Sequence, residues 1–165
     1  MKDEAKIDGY FDVEVIRDTG HGPQTIYHQK VHNALVLSGK KQIWRMVTGK
    51  NAVTANRLFK WFRLGTCGAA VAPLTDTNVK SPITGTLAAA TAMTCLAGTR
   101  TMQWMISYAS GAGTKSANVK EMAVLNKTTG GTYAGASCMS RAVLSPAAQK
   151  TTADKLKITY TARIS

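Results

Sequence analysis

The feature that most constrains the fold is the two-residue alternation of DKLKITYTARI, residues 154–164. Leu156, Ile158, Tyr160 and Ala162 fall on one side; Lys155, Lys157, Thr159, Thr161 and Arg163 fall on the other. A period of two belongs to a pleated strand with one face on a core and the other wet or against a partner. GYFDVEVI (9–16) repeats the pattern, setting Phe11, Val13 and Val15 against Tyr10, Asp12, Glu14 and Ile16. The turn-rich DTGHGP (18–23) and a second run, QTIYHQKV (24–31), complete a hairpin.

Further strands follow. LFKWFRL (58–64) predicts one with Phe59, Trp61 and Arg63 on a common face. Residues 86–98 and 99–110 predict two more. VKEMAVLN (119–126) and TYAGASCMSRAVL (132–144) form a hairpin through KTTGG, with Pro146 expected to end the second run. The one helix expected lies near residues 38–48, capped by Ser38, faced by Ile43, Trp44 and Val47, and stopped by Gly49. About eight alternating strands and one short helix predict an all-β chain, a single-domain antiparallel β-sandwich of jelly-roll-like form. At 165 residues the chain suits one domain with a real core.

Charge is unevenly distributed. The formal net charge is +12, yet six of the nine acidic residues (Asp3, Glu4, Asp8, Asp12, Glu14 and Asp18) precede residue 19. Beyond them only Asp76, Glu121 and Asp154 oppose eighteen Lys and Arg. A cationic body behind an acidic arm attracts a negative partner: nucleic acid, an acidic protein surface, or the first segment of another copy. MKDEAK (1–6) lacks the layout of a signal peptide, and no apolar run reaches membrane-spanning length. The expectation is a soluble chain, made in a cytosol, with no membrane partner.

Catalytic motifs fail on spacing. GAGTKS (111–116) has Thr114 where a phosphate loop requires Gly before Lys, and TGKN (48–51) has Asn51 where magnesium requires a hydroxyl. GTCGA (65–69) places its second Gly one residue too early for a nucleophile elbow. The only bases for Cys67 are His21, His28 and His32, which cluster in the first hairpin and its exit. Cys67, Cys95 and Cys138 contain no CxxC pair, so free thiols are expected, and their odd number leaves room for an intersubunit disulfide. No catalytic residue, metal or cofactor is expected. Trp44, Trp61 and Trp104 among basic residues suit single-stranded nucleic acid, although tryptophan on an alternating strand more often packs in a core. What remains is RLGTCGAAVAPLTDTNVKS (63–81), read as a long exposed connection whose use is contact.

The order of four segments resembles a group of small tailed-bacteriophage virion proteins, described as tail, tail-fibre or minor structural proteins. The segments are HNALVLSGKKQIWRMVTG (32–49), LGTCGAAVAPLTDTNVKSPI (64–83), VKEMAVLN (119–126) and MSRAVLSPAAQKTTADKLKITYTARI (139–164). The chain departs from the pattern at Ala123 and Cys67, where glycine is usual. The resemblance implies a non-enzymatic part of the virion, assembled in the bacterial host cytoplasm as a homo-oligomer beside other virion proteins. It also implies a structural charge pair between Glu121 and Arg141 on neighbouring strands. Protein-contact candidates are Asp3, Glu4 and Asp8 of the arm, Cys67 and Asp76 of the 65–85 loop, Glu121, Arg141, Lys157 and Arg163. Residues 1–8 would form an N-terminal arm. The alternatives are a capsid decoration protein and, less favoured, a basic nucleic-acid-binding β module.

Overall fold

The computed structural model describes residues 7–35, 39, 59–70, 78–96, 98–110, 117–126 and 138–164. These form ten strands in two antiparallel sheets. The strands are β1 (Ile7–Asp18), β2 (Pro23–His32), β3 (Ala34–Leu35), β4 (Phe59–Gly65), β5 (Ala88–Ala89), β6 (Ala92–Leu96), β7 (Thr101–Tyr108), β8 (Ala117–Asn126), β9 (Cys138–Lys150) and β10 (Asp154–Ile164). The first sheet runs β2-β1-β10-β7-β6 and the second β3-β9-β8-β4-β5. The chain crosses repeatedly between them, with β1, β2, β6, β7 and β10 in the first sheet and β3, β4, β5, β8 and β9 in the second, an all-β sandwich as the alternation predicts. The expected helix at 38–48 lies outside the described residues, apart from Gly39.

The core follows the alternation. Phe11, Val13 and Val15 of β1, Trp104 and Ile106 of β7, and Leu156, Ile158 and Tyr160 of β10 face inward and are buried. Phe62, Leu64, Met122, Val124, Ala142 and Leu144 of the second sheet belong to the same cluster. β1 and β10 pair from Ile7 opposite Ile164 to Arg17 opposite Asp154, so the two most distant strands of the sequence lie side by side in the first sheet. Tyr160 stacks at a tilt on Phe11 and Trp104, with centroids 4.8 and 5.3 Å away. Burial pushes its phenol up to about 12. Trp104 is therefore a core residue and offers no platform to a nucleobase.

Three strand expectations need correction. A bulge between Phe59 and Trp61 breaks the alternation of β4, so Phe59 joins Phe62 and Leu64 in the core while Trp61 packs elsewhere. The run 86–98 is not one strand: β5 pairs with β4, and β6 then joins β7 in the opposite sheet. Pro146 does not end β9, which continues to Lys150. It lies where β9 advances from Val143 to Ala148 while β8 passes only from Glu121 to Val119, a bulge in which its missing N–H is not required. Tyr27 and Gln29 of edge strand β2 donate to the carbonyls of Pro146 and Ser145 at 2.9 and 2.7 Å, tying the two sheets together there.

Candidate functional site

β8 does not alternate between core and solvent. Every residue from Glu121 to Asn126 is buried. Met122 and Val124 face the main core, while Ala123 and Leu125 belong to a second apolar cluster with Val79 and Cys138. Val79 comes from the end of the long connection after β4. The far end of the connection, at Val79, therefore packs on the outer face of the second sheet and is not the freely exposed loop expected from composition.

The two ends of this connection are joined at a neck. Gly65 bridges to Pro82, Thr66 donates its backbone N–H to Ser81 at 2.9 Å, and Ile83 donates to Leu64 at the same distance. Inside, the Thr86 hydroxyl donates to the carbonyl of Ile83 at 2.8 Å and accepts from the Leu64 N–H at 3.1 Å. Residues 71–77, Asp76 among them, lie between the two described ends and outside the described residues.

A fully buried ion pair lies beneath the neck. Glu121 on β8 stands opposite Val143 and Arg141 on β9 opposite Ala123, so the two are diagonal neighbours on one face. The Arg141 guanidinium donates to Glu121 Oε2 from Nε at 2.8 Å and from Nη2 at 2.5 Å, and both side chains have 0% exposure. The pair also grips the connection from both sides. Nη2 of Arg141 donates to the Ala69 carbonyl at 3.1 Å and Nη1 to that of Ala70 at 3.3 Å. The carboxylate accepts the backbone N–H groups of Ser81 at 2.8 Å and Lys80 at 3.1 Å.

This network follows from the chemistry of the two groups. A carboxylate without water requires several donors, and a guanidinium supplies a planar fork that can hold acceptors on two edges. A lysine would present one point charge and could not reach the same acceptors in the same geometry. Gly65 is required by the same packing. A Cβ there would run into the Glu121 carboxylate and come within 2.7 Å of the Ser81 carbonyl oxygen. Both had been expected as protein-contact residues; because they are enclosed, their side chains serve the chain's own architecture and present no surface to a partner.

The remaining candidates are dispersed. Cys67 is half-buried at the start of the connection, its sulfur 3.4 Å from the Ala69 N–H; Cys95 is exposed on β6 and Cys138 buried on β9. His28 contacts Asp12 at 2.7 Å, and the His32 ring lies near Tyr10, so both belong to the outer face of the first sheet. Lys157 is on that face too and donates to Glu14 at 3.0 Å. Asp8 and Arg163 are exposed and opposite each other in the β1–β10 register. Asp3 and Glu4 lie outside the described residues. Among the described residues, no three His, Cys, Asp or Glu side chains are grouped to hold a metal ion.

Sequence reading missed a second enclosed carboxylate. Asp154 is buried and takes two bonds from Arg17, at 2.7 and 3.1 Å, and two from Thr151, both at 2.8 Å. Arg17, chiefly through its hydrogen bonds, holds this carboxyl well below the usual carboxylate range against the opposing effect of burial. The available signal was register: pairing the two alternating end strands brings position 17 opposite 154. Two of the three acids beyond residue 18 are thus internal, each against an arginine, which leaves the body's surface cationic.

Comparisons with family models, with curated proteins and with solved structures yield no match to this chain.

Proposed function

We propose that the chain is a non-enzymatic structural subunit of a bacteriophage virion, in the tail, tail fibre or neck, acting through subunit–subunit contacts. The observation that carries this reading is the clamp beneath the long connection. A fully buried ion pair is a costly way to stabilise a fold, because both charges lose bulk hydration. Its return here is positional: one network fixes where the connection leaves the second sheet and where it rejoins it. Long connections on rigid scaffolds are where binding concentrates. The resemblance of the segment order to small virion proteins and the split between an acidic first segment and a cationic body support the same reading. Opposite charge of this kind steers copies together, with a modest gain from each exposed pair.

The test uses two variants of the whole chain. One replaces residues 71–77 with a Gly-Ser linker of equal length, leaving the clamped ends intact. The other removes residues 1–6, stopping short of Ile7 and Asp8 because these pair with β10. Each is followed by size exclusion, negative-stain microscopy with the other particle components, and thermal unfolding. Loss of assembly without loss of thermal stability is expected. Normal assembly by both variants would refute the contact role, and binding to preformed empty capsids would instead identify a decoration protein.

A further inference from the structure

The outer face of the first sheet carries a groove of about 760 Å³, away from the clamped connection. Its walls come from five strands and the β6–β7 turn, so no local motif announces it. Three cations line it: Lys30 from β2, Arg163 from β10, and Arg100 from the turn. Its polar lining includes Thr101, Gln103 and Thr161, and Thr101 and Thr161 are more than nine-tenths buried. The Gln103 side-chain amide donates to the Thr161 hydroxyl at 3.3 Å, so an amide and a hydroxyl stand together in the lining.

A second observation points to the same place. Among the described residues, Arg100 is the one non-glycine residue with positive φ, at 49°. That conformation disfavours any side chain with a Cβ, and glycine would adopt it without penalty. An arginine held there beside a groove is the kind of local strain that accompanies binding sites.

The surroundings narrow the ligand. Lys30 Nζ sits 3.8 Å from the centroid of the Tyr10 ring, so that ring face is already covered and is no platform for a base. Asp8, Asp12 and Glu14 alternate along β1 on the same outer face, and Asp8 stands opposite Arg163. A long polyphosphate laid along β1 would meet this acidic row, so the attraction is local. The polar lining suits hydroxyl groups, and the volume is that of a small-molecule site.

We propose that this groove binds a compact hydroxylated anion, a sugar phosphate or a sugar acid, with Arg100 and Lys30 at the anionic group and Gln103 and Thr161 at the hydroxyls. The test is calorimetric titration of the full chain at low salt with glucose 6-phosphate, glucuronate, glucose and inorganic phosphate. Saturable binding is expected for at least one of the two sugar anions, with glucose and phosphate each at least tenfold weaker. The tighter of the two sugar anions identifies the anionic group. Arg100→Gly should weaken that binding at least tenfold while leaving thermal stability equal or higher, because glycine fits the backbone there. Gln103→Ala should weaken the sugar anion more than inorganic phosphate. Absence of saturable binding, equal binding of glucose or phosphate, or undiminished affinity in Arg100→Gly would overturn the proposal.

Discussion

Replacing Arg141 with methionine removes the cation from an enclosed site while keeping most of the side-chain volume. Glu121 would still accept the N–H groups of Lys80 and Ser81, at 3.1 and 2.8 Å, but would face no positive charge. The carbonyls of Ala69 and Ala70 would lose their donor. Breaking a buried pair from one side typically costs about 3–5 kcal/mol, because the other charge stays desolvated. For a chain of this size that lowers the melting temperature by roughly 6–20 °C. Glu121→Leu should cost a similar amount by leaving the guanidinium without its carboxylate. The double variant removes both charges, so its cost should fall well short of the sum, with a coupling energy of about 1.5–3 kcal/mol. Urea unfolding of the four proteins at neutral pH measures this cycle, and limited proteolysis between Thr66 and Ser81 shows whether the neck has opened. Additive costs, or single substitutions each below about 1 kcal/mol, would show that the pair does not anchor the connection.

Other expectations follow from single residues. Gly65→Ala should destabilise by about 1–3 kcal/mol, since its methyl group meets Glu121 and the Ser81 backbone, and urea unfolding reads this directly. Asp154 has a depressed carboxyl in the folded chain, so the unfolded chain takes up the proton first as pH falls. The stability it confers is complete above about pH 5 and declines below that, and Asp154→Asn should flatten this part of the acid-unfolding profile. Thiol labelling under native conditions should modify Cys95 fastest, Cys67 more slowly, and Cys138 only on unfolding, following their exposed, half-buried and buried positions.

Much of the fold was legible because β1 and β10 each bury one face and expose the other, which is what alternation encodes. The pattern failed where a strand is covered on both sides or the ladder is interrupted. β8 is apolar on both faces because Val79 and its connection cover the outer one, and only a tertiary contact determines that cover. The bulge at the start of β4 shifts Phe59 into the main core through one backbone irregularity that no side chain signals. Pro146 reads as a terminator, yet β9 carries it in a bulge fastened by Tyr27 and Gln29, residues distant in sequence. The pairing of Glu121 with Arg141 was anticipated, but not its burial or its grip on the connection. That grip depends on the backbone of Ala69, Ala70, Lys80 and Ser81, where side-chain identity carries no information. The groove was equally silent, since Lys30, Arg100 and Arg163 meet only once the sheet is assembled.

Amide hydrogen exchange on the free chain and on the same chain within the assembled particle tests the contact role most directly. If subunits grip one another through the clamped connection, the amides of residues 66–70 and 78–85 gain protection on assembly, while the already enclosed β8 amides change little. Unchanged exchange across both segments, in a particle that demonstrably contains the chain, would contradict the account.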